Sequence, residues 1–292
     1  MTRPDDPPST PASTGASVRR VDVNVHVGGY PWRHVPHPEP AILARVLERE
    51  GIDAAWVGHL PSAFWRDPTP GNAELFAALA AHPTLRPAPC VRPDWPGWER
   101  HVRDAADRGV PALRAYPTLW GMGPGDAALD RLAHACAEAG LALVLSARFE
   151  DGRQRHPLDG APDLQPAHVR ALARAATHAA LVVVNAGDDF ISETVWALTA
   201  AERARLWFDF SWVWGPPEEQ FARLLRTVGA DRFVYGTGWP LRLTQNARAL
   251  LDLLPADVAD PPLAAADDLV RMARQTAPDP ASHAVPNAAR GS

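Results

Sequence analysis

Eight times between residues 20 and 254, a short β-branched apolar run gives way to an amphipathic run rich in Ala, Leu and Arg. The strand candidates are 20–27, 54–60, 85–91, 112–117, 141–149, 180–187, 205–212 and 232–240. The helix candidates are 39–50, 72–81, 97–108, 126–139, 166–178, 190–203, 217–228 and 242–254. Strands that alternate with helices build a parallel sheet, because each crossover returns the chain to the same end. Eight such units predict an α/β fold, a single (β/α)8 barrel with its site at the C-terminal ends of the strands. Gly51, Gly109, Gly140 and Gly229 each stop a helix just before the next strand, as the left-handed cap of a short connection does. A doubly wound open sheet is the competitor. No Gly-x-Gly-x-x-Gly follows an early strand, which weakens its dinucleotide-binding form. The barrel is expected over 19–275, with disordered Pro-, Ser- and Thr-rich tails at 1–18 and 276–292.

Composition removes several function classes. The chain has no lysine, so all 29 basic residues are arginine. Schiff-base chemistry and a carbamylated lysine between two metals are thereby excluded. A net charge of -5 without a basic block argues against nucleic acid as a partner. No apolar run reaches the length of a membrane span, and the N-terminus lacks the apolar core of a secretory signal. Cys90 and Cys136 are too few for a disulfide framework, so a reducing, cytoplasmic compartment is expected.

The first strand carries the densest polar pattern. In Val21-Asp22-Val23-Asn24-Val25-His26-Val27, strict alternation places Asp22, Asn24 and His26 on one face, toward the barrel axis. The same periodicity projects His59, Arg92, Arg114, Tyr116, Ser146, Arg148, Asn185, Asp209, Ser211 and Thr237 at strand ends. The loops that follow strands are longer than the returns and hold most of the 11 tryptophans, among them Trp32, Trp120, Trp212, Trp214 and Trp239. Most of these seal loops onto the rim; a minority are expected to line a pocket.

Five phrases in strand order resemble the amidohydrolase-related family of metal-dependent hydrolases. They are Asp22-Val-Asn24-Val-His26, Gly109 to Pro117 around Arg114, Leu143 to Ser146, Val182 to Gly187, and Asp231-Arg-Phe-Val-Tyr-Gly-Thr-Gly-Trp-Pro240. The resemblance implies a (β/α)8 barrel with metal ligands at the positions of Asn24, His26, Ser146, Asn185 and Gly238. Only His26 is a ligand type, so hydrolysis by a metal-bound hydroxide does not carry over, and neither zinc nor another cofactor is expected.

Three readings follow. In the first, a metal-independent hydrolase or lyase has rebuilt its site on the same rim for a small, anionic, carboxylated or aromatic metabolite. His26, Asp209 and Asp22 are then the acid–base candidates. Arg114 and Arg148, helped by Arg33 or Arg92, clamp the anion. Asn24, Tyr116, Ser146, Asn185, Ser211, Thr237 and Trp239 complete substrate binding. In the second, the chain is a catalytically silent homologue that binds a ligand or a partner subunit. In the third, a metal is held by His26, His59 and Asp209. A homodimer is compatible with the loop tryptophans.

Overall fold

The computed structural model describes residues 19–277, so the two expected tails lie outside the described residues apart from Thr276 and Ala277. Seven strands are regular: β1 (Val21–Val27), β2 (Ala54–His59), β3 (Leu85–Pro87), β4 (Ala112–Ala115), β5 (Ala142–Ser146), β6 (Leu181–Val184) and β7 (Leu206–Phe208). They form two parallel runs, β1-β2-β3 and β4-β5-β6-β7. Three bridges close the ring: Cys90 with Arg114, Phe208 with Phe233, and Val25 with Trp239. The eighth stave is the extended segment 233–239. It receives the Val23 N–H on Tyr235 O at 3.0 Å and gives the Val234 N–H to Phe208 O at 2.9 Å. The molecule is a (β/α)8 barrel.

The outer layer is α1 (Pro40–Arg49), α2 (Thr69–Leu79), α3 (Trp98–Asp107), α4 (Ala127–Glu138), α5 (Pro166–Ala175), α6 (Asp188–Trp196), α7 (Ala200–Arg203), α8 (Gln220–Val228) and α9 (Thr244–Asp252). The single helix expected over 190–203 is two, α6 and α7. Thr199 starts the second with a capping box: its hydroxyl accepts the Glu202 N–H while Glu202 accepts the Thr199 N–H. A further helix, α10 (Ala266–Thr276), lies beyond the eight-unit pattern and takes in Thr276, at the edge of the expected tail. Its Ala266, Leu269, Val270 and Ala273 pack with Val21, Val23, Trp56, Val144, Val182 and Trp207, so α10 floors the barrel at its N-terminal end. Gly140 lets it approach: a Cβ there would sit 3.1 Å from the Arg274 backbone.

The wall has one irregularity that matters for the site. Between Asp22 and Val25, β1 carries one more residue than the facing part of β2. This bulge breaks the alternation. Val21 and Val23 belong to the inner cluster, whereas Val25 and Val27 pack outward with the helices.

Candidate functional site at the barrel mouth

The bulge divides the polar set of β1. Asn24 and His26 face the axis. Asp22 instead joins β1 to the eighth stave: its Oδ2 accepts the Thr237 hydroxyl at 2.6 Å, and its Oδ1 accepts the N–H groups of Thr237 (3.1 Å) and Asn24 (2.9 Å). Burial pushes its pKa up to about 6, against those three donors. Asp22 and Thr237 therefore stand in the wall and not in the mouth. Trp239 is likewise buried in the core.

Above α10, the axis is occupied by a guanidinium. Arg114 of β4 is fully buried, and its Nη2 donates to Val23 O at 2.9 Å and Trp56 O at 3.0 Å. Gly58 makes room for it, since a Cβ there would lie 2.8 Å from Arg114 Cδ and 2.9 Å from the His26 ring. Arg114 thus sits beneath the site, tied to backbone carbonyls, and is not the rim clamp expected of it. Its Nε and Nη1 have no hydrogen-bond partner among the described residues. Over it, His26 Nε2 lies 3.3 Å from the Tyr116 hydroxyl. Burial, then the charge of Arg114, holds the His26 pKa well below the usual imidazole value, so the ring is neutral. Burial raises the Tyr116 phenol, with Arg114 opposing.

Beside this pair lies a closed amide–hydroxyl–carboxylate network. Asn24 Nδ2 donates to Asn185 Oδ1 and Asp209 Oδ2, both at 2.7 Å. The Ser211 hydroxyl donates to Asp209 Oδ2 at 2.7 Å, and the Asn185 N–H to Asp209 Oδ1 at 2.8 Å. Asn185 holds φ at 60°, a left-handed conformation that its short polar side chain tolerates, and its Nδ2 reaches Arg148 O at 2.9 Å. Burial raises the Asp209 pKa against its three donors. With both oxygens engaged, Asp209 orients Asn24 and Asn185 and is poorly placed as a free base. Ser146 Oγ and Asn24 Oδ1 are buried beside this network without a hydrogen-bond partner among the described residues.

The rim is made by loops. Arg33 Nε pairs with Glu150 at 2.8 Å, tying the loop after β1 to the loop after β5. Arg148 Nε lies 3.3 Å from Asp163. Phe149, on the loop after β5, closes the mouth, with its ring 5.8 Å from His26 and 5.3 Å from Tyr116. Space remains on both sides of it. A cavity of about 20 Å³ touches Tyr116, Ser146 and Arg148; one of about 70 Å³ touches Arg33, Trp212, Trp214 and Arg242. Phe149 and Arg242 are not among the site residues that the sequence singles out. Arg242 rests 4.3 Å from the Trp212 ring and 4.5 Å from the Trp214 ring, its Nε buried without a partner and no carboxylate within ion-pair distance among the described residues. The readable signal is its place two residues after Pro240 at the end of the eighth stave.

The donor set does not fit a divalent metal. At the positions the resemblance assigns to ligands, Asn24 and Asn185 are hydrogen-bonded amides, Ser146 is a hydroxyl and Gly238 offers no donor. No group of three or more His, Cys, Asp or Glu capable of holding a metal occurs among the described residues. His59 does not join His26 and Asp209, because its Nδ1 meets the Ser62 hydroxyl at 2.8 Å and its Nε2 lies 3.6 Å from Glu74.

No family model matches the chain, and no curated protein does. Solved structures do. The 5-carboxyvanillate decarboxylase of Sphingomonas paucimobilis superposes with a TM-score of 0.58 at 13% identity, over 89% of this chain and 98% of that one. A 2,6-dihydroxybenzoate decarboxylase from Rhizobium gives 0.59 at 11% identity, over 89% and 96%. An amidohydrolase from Mycobacterium avium subsp. paratuberculosis gives 0.54 at 16% identity, over 80% and 73%. These likenesses show the fold, a (β/α)8 barrel.

Proposed function

We propose that the mouth is a metal-independent acid–base site for a small carboxylated ring compound, working as a hydrolase or a lyase. The observation that carries this reading is Arg242. A part-buried guanidinium set against two mutually perpendicular indoles, with Asp209, Glu150 and Asp151 near enough to be felt but none within ion-pair distance among the described residues, is costly to hold unless an anion joins it. Its planar fork suits a carboxylate, and Trp212, Trp214 and Phe149 supply faces for a ring. Carboxylated rings are also what the names of the two decarboxylases specify. The chemistry rests with His26, a neutral imidazole able to take a proton at Nε2, and with the Tyr116 hydroxyl beside it. Asn24 and Ser146 present the unpartnered polar atoms that would hold a carbonyl or hydroxyl of the substrate. Phe149 lines both small cavities and stands between them and His26.

The second reading, a catalytically silent binding protein, draws on that cover: His26 is 2% exposed. One titration separates the two. Binding of 2,6-dihydroxybenzoate is measured by calorimetry, and its consumption by absorbance, in the wild type, Arg242→Met and His26→Gln. Binding lost in Arg242→Met, with turnover lost in His26→Gln, supports the enzyme. Arg242-dependent binding without turnover favours the silent protein. Binding indifferent to Arg242→Met overturns both.

A further inference from the structure

A spacious groove opens at the other end of the barrel. It measures about 790 Å³, within the range of roughly 300–1,000 Å³ typical of small-molecule sites. Its floor is apolar, with Val110 just before β4 and Val270 of α10. Its walls are cationic. Arg86 is held by Asp267 at 2.6 Å, and Asp267 also meets Arg19 at 3.5 Å, so the carboxylate in the groove is already neutralised. Arg108 lies 4.6 Å from the ring of Phe76, its cation spread over an aromatic face that also lines the groove. Neither Arg108 nor Arg274 has a carboxylate within 4.0 Å among the described residues. An apolar floor beneath two guanidinium groups that have no ion-pair partner among the described residues, on a chain whose net charge is -5, is a local inversion of the molecule's charge.

We infer that this groove is a second binding site, separate from the mouth, for an amphipathic anion: an apolar or aryl body on Val110, Val270 and Phe76, with a carboxylate, sulfonate or phosphate head between Arg108 and Arg274. Such a ligand rests on α10, the helix whose other face floors the barrel.

The test is a fluorescence titration of the full chain with anilinonaphthalene sulfonate, an aryl sulfonate of this shape. Saturable binding is expected. The Arg108→Ser/Arg274→Ser double variant should weaken it by at least about tenfold, the effect of losing two charge-assisted contacts. Both side chains are exposed, so this variant keeps the fold, and unchanged thermal unfolding verifies that. Ala80→Trp, an exposed position on the groove wall, should block binding by filling the cleft without altering charge. Binding that survives both variants, that vanishes instead in Arg242→Met, or that never saturates overturns the assignment.

Discussion

At Asp22, three donors and complete burial act against each other, and burial wins: the carboxyl is pushed up to about 6 from an ordinary 3.8. The folded state therefore binds this proton more tightly than the unfolded state does. The stabilisation it brings is complete below about pH 4 and is lost as pH rises through about 6. The shift corresponds to about 3 kcal/mol. Asp22→Asn does not titrate, so the stability of wild type relative to that variant should fall by about 2 kcal/mol between pH 4 and pH 7 in urea denaturation. A constant difference would refute the assignment. His26 titrates in the opposite sense. Its pKa lies well below the usual 6.5, so the ring stays neutral from there upward. A pH profile of kcat/KM should then be flat from pH 6.5 to 8 and fall only in more acid solution; a fall centred on 6.5 would mean that His26 is not the base. Residue identities are readable at these positions, but their environments are not. Nothing in the local sequence tells a carboxylate bonded across the wall from one facing a substrate.

Among the elements, β1 shows why. A period of two assigns faces only while the ladder is regular, and one extra residue reverses the assignment beyond it. The bulge between Asp22 and Val25 therefore keeps Asn24 and His26 on the axis and turns Asp22 into the wall. Gly58 in β2 makes the complementary adjustment by leaving space for Arg114 and His26. Gly58→Ala would place a Cβ 2.8 Å from Arg114 Cδ. Overpacking of this kind costs about 1–3 kcal/mol, read as a lower denaturation midpoint with an unchanged slope. A Gly58→Ala protein as stable as wild type would mean that the Arg114 side chain has room to move. By contrast, the break between α6 and α7 is legible in principle, because Thr199-x-x-Glu202 is a capping-box pattern inside an otherwise helical run.

For the whole molecule, α10 decides whether the barrel has a closed floor. Leu269 is 1% exposed against the inner cluster. Leu269→Ala should destabilise the protein by about 3 kcal/mol, measured by denaturant unfolding. A loss under about 1 kcal/mol would show that α10 is only loosely docked. The mouth makes a separate prediction. Purified protein reconstituted with zinc and then dialysed should retain less than about a tenth of an equivalent by elemental analysis. Near-stoichiometric zinc would overturn the metal-independent reading.

Taken by itself, the amino-acid sequence determined the number and order of β/α units and the glycine stops between them. These are local properties, carried by periodicity and residue type. Tertiary structure alone decided the rest. It set which polar groups reach the axis, because a bulge shifts their phase. It placed Arg114 beneath the site, because carbonyls of β1 and β2 lie open to it. It also brought Phe149 and Arg242, from loops far apart in the chain, together over His26 and Trp212. Loop positions depend on packing between distant segments, and no local pattern encodes that.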